Sequence, residues 1–265
     1  MFCIRENVRD LSMQMHSLKS NYIKVLEEDG GISFGGNQGW VIKDSSAKRS
    51  KNNIIRAFGC GLISAVDILS YLEQKDNAPG EKTDAERKDA AEEYISLDHY
   101  REKINEFERI HFHVSYWLGI PGTRLARKMN RFFRKKKLPY RAKWGMSGKK
   151  LLPRLKEMLD ADIPATLGIG PGFFRKDRLG LYVTKLDKEG EIEYGNLRYS
   201  IKRRGTTKDH YVTVTGIIED DERTLLEISS WGRKYYIDYN EYTAYVKKCD
   251  NYIFSNILYI RKLDK

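Results

Sequence analysis

Cysteine is scarce in this 265-residue chain, and the three present, Cys3, Cys60 and Cys249, are an odd number at no metal-like spacing. A disulfide framework and a zinc site are therefore not expected, and free thiols agree with a reducing compartment. Long apolar runs are missing too: nothing approaches the roughly 18 uninterrupted apolar residues of a membrane helix. Met1 to Asn7 has neither an apolar core nor a small-residue cleavage site. A soluble, cytoplasmic chain with no membrane span is the expectation. Cofactor fingerprints are absent as well. Gly168-Ile169-Gly170-Pro171-Gly172 lacks both the Lys-Ser/Thr of a phosphate loop and the spacing of a dinucleotide site, so it reads as turn chemistry and no cofactor is expected. No internal repeat occurs.

Acids are missing from one long stretch. Arg124, Arg127, Lys128, Arg131, Arg134, Lys135, Lys136, Lys137, Arg141 and Lys143 follow one another with no Asp or Glu among them, in a chain of net charge +11. Such a run suits an anionic partner: nucleic acid, anionic lipid or an acidic protein. Leu125, Met129, Phe132 and Phe133 mark an apolar stripe at helical spacing within it. That predicts a surface helix packed on one side with a solvated basic face. A basic wall of a peptide groove is a further reading.

What the chain does have is a globular composition, 40% hydrophobic and 12% aromatic, long enough to bury a real core. Its most informative stretch is Phe58-Gly59-Cys60-Gly61-Leu62-Ile63-Ser64-Ala65-Val66-Asp67-Ile68-Leu69. From Leu62 onward, Leu62, Ala65, Val66, Leu69 and Leu72 recur at steps of three and four, which predicts a helix with one buried face. Cys60 falls in its first turn, where the helix dipole and free backbone N–H groups favour thiolate, the nucleophilic form.

About 150 residues downstream, Asp209-His210-Tyr211-Val212-Thr213-Val214-Thr215-Gly216 begins a predicted strand. An acidic turn follows, then Leu225-Leu226-Glu227-Ile228-Ser229-Ser230-Trp231-Gly232. Paired as a hairpin, the start of the first strand lies beside the end of the second, which makes His210 and Ser229 neighbours. A thiol at a helix terminus facing an imidazole held by a polar partner is what nucleophilic cysteine catalysis requires.

On these residues the chain resembles the papain-like cysteine peptidase superfamily, and more narrowly the branch of bacteriocin-leader peptidases and their bacterial relatives. The resemblance spans residues 35 to 75 and 145 to 262. It implies Cys60 as nucleophile, His210 as base, and Ser229-Ser230-Trp231-Gly232 in the place of an Asn-Ser-Trp-Gly segment, with Ser229 orienting His210. A serine there is shorter than Asn and uncharged, so imidazolium is less stabilised. Glu227 and Asp209 are the alternative partners. The oxyanion-hole glutamine of the family is missing half a dozen residues before Cys60, where Asn52-Asn53-Ile54-Ile55 stands. Gln38, in Gly35-Gly36-Asn37-Gln38-Gly39-Trp40, is the preferred donor and Asn53 the second choice.

The remaining pattern predicts one or two helices over 7 to 28, a loop from Lys43 to Asn53, and a charged linker from Gln74 to Ala90. Helices follow at 91 to 117 and 122 to 137. Then come a strand at Tyr140 to Trp144, a helix from Ser147 to Leu159, and a strand at 163 to 169. Short strands are expected at Leu179 to Thr184, Glu191 to Tyr194 and Leu197 to Ile201. Lys202 to Gly205 reads as a lead-in to His210. Tyr235 to Asp238 and Tyr252 to Ile260 complete a C-terminal sheet, with Asn240 capping a helix through Val246. His111 and His113 fall on the predicted helix, where residues two apart diverge and do not share a metal. His16 and His99 read as surface residues.

The expected architecture is an α+β papain-like fold: one domain over 1–265, a helical insertion at 76–138, and a mainly β half over 139–265 that carries His210. The expected function is a cysteine-dependent hydrolase of peptide or amide bonds acting on a peptide or protein substrate. The alternatives are an inactive binding module on the same fold, or a basic nucleic-acid-associated protein centred on 124–143.

Overall fold

From Leu62 to Leu72 apolar side chains point in nearly every direction, and such a helix has no face to give to water. Accordingly α2 (Cys60–Asn77) runs through the middle of the protein, with Leu62, Ala65, Val66, Ile68, Leu69 and Leu72 fully buried. The computed structural model describes residues 14–77, 94–146, 148–171, 176–184, 201–221, 223–249 and 252–263. Before α2 comes α1 (Lys51–Phe58), capped by the Ser50 hydroxyl and set at 83° to it. Gly59 makes that corner, since a Cβ there would stand 2.3 Å from the Ile55 carbonyl oxygen. Four more helices are α3 (Leu97–Ile110), α4 (Gly122–Lys135), α5 (Gly148–Asp160) and α6 (Tyr239–Cys249).

The fold is α+β, built on one large antiparallel sheet. Its strands are β1 (Gln14–Ser17), β4 (Tyr140–Trp144), β5 (Ala165–Ile169), β6 (Leu179–Thr184), β7 (Ile201–Thr207), β8 (His210–Glu219), β9 (Thr224–Ser230), β10 (Arg233–Asp238) and β11 (Ile257–Lys262). They run in the order β4-β11-β5-β8-β9-β10-β6-β7. β5 pairs with the first half of the long β8, and β1 pairs with its second half. A separate parallel pair joins β2 (Val25–Leu26) to β3 (Ile95–Ser96). α2 lies against β8 and β5, where the Ser64 hydroxyl bonds those of Thr166 and Thr213 at 2.7 and 2.9 Å. α3 and α4 pack beside it. Tyr100, Phe107, Phe132 and Phe133 therefore join the same buried cluster as Leu62 and Val214.

Several sequence expectations need correction. Residues 14–17 and 25–26 are strands, not helix, because the second half of β8 offers unpaired backbone that β1 satisfies and β3 does the same for β2. The segment before Cys60 is helical from Lys51. α3 stops at Ile110, so His111 and His113 lie beyond it. Lys202 to Gly205 belong to β7, and the α6 start is capped by the Asp238 carboxylate, not by Asn240. β11 begins at Ile257. Of the linker expected from Gln74 to Ala90, Gln74 to Asn77 instead continue α2, and its remainder, the strand at 191–194 and the capping Ser147 lie outside the described residues. No single described helix is long and apolar enough to cross a membrane.

Candidate functional site

Cys60 opens α2 and is partly buried. Backbone N–H groups of Tyr211, Gly61 and Cys60 itself point at its sulfur and pull the thiol pKa down. Burial outweighs them, and Asp209 adds to it, so the net direction is upward. The helix start supplies the donors that the sequence led one to expect, but the resting thiol is protonated.

His210 is the first residue of β8 and follows Asp209, whose φ of 51° is left-handed. Its ring is held on two sides. Trp231 stacks on it at 4.3 Å and 11°, and Nε2 shares a 2.8 Å hydrogen bond with the Ser230 hydroxyl. Desolvation is the one cause that moves this imidazole, lowering its pKa to about 4. No anion at the ring offsets it, so His210 rests neutral.

The partner of His210 is Ser230, not the expected Ser229, and strand parity explains why. Ser229 opposes Thr213 across the hairpin, and opposed residues share a face. His210 lies three residues from Thr213 and so falls with Ser230. Ser229 instead donates its hydroxyl to the Phe34 carbonyl at 2.8 Å. The other two candidates do not serve His210 either. Glu227 sits past a bulge, pairing with Thr215 at 2.8 Å and Lys234 at 3.0 Å, and no hydrogen bond joins Asp209 to the ring among the described contacts.

The third part of the site is the segment 34–38. Phe34 N–H donates to the Gly232 carbonyl at 2.8 Å, and Gly232 N–H returns a bond to Gly36 at 2.9 Å. Gln38 follows in a single 3-10 turn, donating one Nε2 hydrogen to the Arg56 carbonyl at 2.9 Å. Arg56 in turn bonds the carbonyls of Gly39 and Val41, which fixes the turn against α1. Asn53, the second-choice donor, is committed elsewhere, clamping the carbonyls of Asp44 and Ala47.

Sequence reasoning missed the residue that anchors this segment. Asp67, two turns beyond Cys60 on α2 and 1% exposed, accepts from Tyr22 O–H at 3.0 Å, from Gly36 N–H at 3.1 Å and from Tyr100 O–H. Burial raises its pKa to about 6 against the pull of those donors. The approach is so close that a Cβ on Gly35 would stand 2.1 Å from the Ser229 hydroxyl, and one on Gly36 would stand 1.8 Å from Tyr100 O–H. Gly35 also has a φ of 75°. The signal was available in sequence: a lone acid inside the apolar run from Leu62 to Leu72 demands a buried partner.

Gln38, Cys60 and His210 line one open cleft of about 520 Å³, walled by Phe58, Trp117, Leu118 and Phe254. They also line a narrow recess of about 20 Å³ reaching Asp67 and Ser229, room for about one water. Trp117, Asp209 and Trp231 are three of the five described non-glycine residues with left-handed φ, and all three adjoin these spaces. Backbone strain is thus concentrated at this site. Three other histidines stand apart: His113 pairs with buried Glu108 at 2.9 Å, His16 with Asp160 at 2.7 Å, and His99 with Glu102. No group of three or more His, Cys, Asp or Glu among the described residues has the geometry to hold a metal.

Comparison of the chain with protein-family models, with curated proteins and with solved structures finds no match.

Proposed function

We propose that this is a papain-like cysteine-dependent hydrolase, a peptidase or amidase in which Cys60 is the nucleophile and His210 the base. The observation that carries the reading is the shared cleft: a thiol at the start of a buried helix, an imidazole at the start of a strand, and a side-chain amide all line it. In this reading Cys60 Sγ attacks a carbonyl carbon as its proton passes to His210. The displaced carbonyl electrons settle on oxygen, facing the Cys60 N–H and the Gln38 hydrogen not used by Arg56. His210 returns the proton to the departing amine, and water then cleaves the thioester. Ser230 and Trp231 hold the ring, the positions that the resemblance gave to Ser229 and its neighbours.

A second reading has its own observation. Thiol pKa raised, imidazole pKa lowered and no carboxylate on the ring describe a neutral pair, which also fits a binding module that has lost catalysis. An activated ester separates the two. With p-nitrophenyl acetate, the hydrolase predicts a burst of nitrophenolate, an acetyl adduct on Cys60 and continuing turnover, all lost in Cys60→Ala. Acylation that stops at one equivalent, or none, favours the binding module.

A further inference from the structure

We infer that the exposed face of α4 binds the phosphate backbone of nucleic acid, without reading bases. This surface lies outside the Cys60 cleft, and the inference does not depend on the hydrolase reading. Its starting point is how completely α4 divides its side chains. Leu125, Ala126, Met129, Phe132 and Phe133 are buried, while Arg127, Arg131, Arg134 and Lys135 are exposed, as are Lys136 and Lys137 just past its end.

Several cations elsewhere on this protein meet acids. Lys51 meets Glu108 at 2.6 Å, Arg101 meets Glu28 at 2.9 Å, Lys234 meets Glu227 at 3.0 Å and Lys248 meets Asp177 at 2.7 Å. On α4 the contacts are few. Arg124 bonds the Ser115 hydroxyl at 3.3 Å, and Lys136 comes no nearer than 3.9 Å to Glu73. Arg127, Lys128, Arg131, Arg134 and Lys135 have no carboxylate within ion-pair distance among the described residues. Like charges three and four apart on a helix repel, so the stripe is a standing electrostatic cost that a polyanion would relieve.

The structure also divides the basic run seen in sequence. Tyr140 and Ala142 of β4 face α4, through Phe133 and Asn130, so Arg141 and Lys143 alternate onto the other side of the sheet. What remains on α4 is a straight stripe about 16 Å long, from Arg124 to Lys135, at 1.5 Å per residue. Its chemistry selects among anions. A lipid surface would need an apolar face to insert, and that face of α4 is buried in the core. An acidic protein would be recognised around apolar or aromatic anchors, and the exposed side of α4 presents none. The amide best suited to reading a base, Asn130, has both its groups bound to Ala142. Along an exposed helix face whose one amide is already used, guanidinium and ammonium tips are left to meet phosphates, and contacts to phosphate carry no sequence information.

The test is fluorescence anisotropy with the full chain and labelled DNA of two unrelated sequences, a duplex about two turns long and its single strand. About five phosphate contacts predict a loss of affinity of roughly 500-fold between about 50 and 200 mM salt, equal for both sequences. The triple variant Arg127→Glu, Arg131→Glu, Arg134→Glu should bind at least about 100-fold more weakly. A charge-matched control on exposed β7, Lys202→Glu, Arg203→Glu, Arg204→Glu, should stay within about threefold of the parent. Should the triple variant not fold by circular dichroism, Arg131→Gln alone should still cost about fivefold. The inference is overturned if DNA does not bind at low salt, or if both triple variants lose affinity alike. It is equally overturned if polyglutamate competes as well as DNA, or if phosphatidylserine vesicles bind through α4 while DNA does not.

Discussion

α2 and α4 treat polar side chains in opposite ways. On α2 every polar group within the buried run is partnered: Ser64 with Thr166 and Thr213, Asp67 with Tyr22, Tyr100 and Gly36, and Ser70 with Lys103. On α4 five successive cations have no carboxylate within ion-pair distance among the described residues. Buried polar groups are retained only when satisfied, because an orphan costs its full desolvation, whereas exposed charges cost little when unpaired. The polar chemistry of α2 therefore supports architecture and site together. Apart from Asn130, which clamps Ala142 of β4, the polar side of α4 contributes little to the fold, and its cations are free to serve a partner.

The largest expected effect tests the α2 half of this contrast. Asp67→Ala strands two tyrosine hydroxyls and the Gly36 N–H in the interior, and should cost about 3–5 kcal/mol in denaturant unfolding. A loss below about 1 kcal/mol would erase the distinction between the helices.

Asp67→Asn keeps the shape and removes the titration. Asp67 has a folded pKa of about 6, above its unfolded value of about 3.9, so the native protein binds the extra proton between them. Wild-type stability from this group is full at low pH and is lost as pH rises through about 6. Relative to wild type, the Asn variant should gain about 2 kcal/mol as pH climbs from 4 to 6. His210 runs the other way. Its folded pKa of about 4 lies below the unfolded 6.5 or so, so its contribution grows with pH across that window, and His210→Ala should lose ground there. Flat differences for both variants would contradict the assigned burial.

The smallest effect tests the other helix. Neutralising Arg127, Arg131 and Arg134 to Gln should change stability by no more than about 0.5 kcal/mol, with a slight gain from relieved repulsion. A loss above about 2 kcal/mol would mean that these cations are structural after all.

How much of this was legible depends on the kind of force that fixed each element. The central helix, the β8–β9 hairpin and the amphipathic α4 carry strong periodic patterns, and each was read from sequence with ends off by a few residues. β1 was not legible, since Met15 and Leu18 fit a helical spacing and only the unpaired half of β8, some 200 residues away, makes them a strand. Cys60, His210 and Gln38 were singled out in the sequence and line one cleft. The exchange of Ser229 for Ser230 was not, because a face assignment depends on the register at Thr213, and a bulge beyond Val214 breaks the alternation from which it would be counted. Asp67 was overlooked for a related reason. Its partners come from residues 22, 36 and 100, which no local pattern brings together.

The central claim is that Cys60 and His210 act as one unit, and the pH dependence of Cys60 alkylation by iodoacetamide tests it most directly. A protonated thiol and a neutral imidazole lining one cleft predict a rate that stays level from about pH 5 to 8, since His210 is available to take the proton until it titrates itself near 4. In His210→Ala that plateau should vanish, leaving only the limb that rises as the thiol ionises, above the usual range near 8.5. Identical profiles in the two proteins, both climbing only with thiol ionisation, would contradict the account.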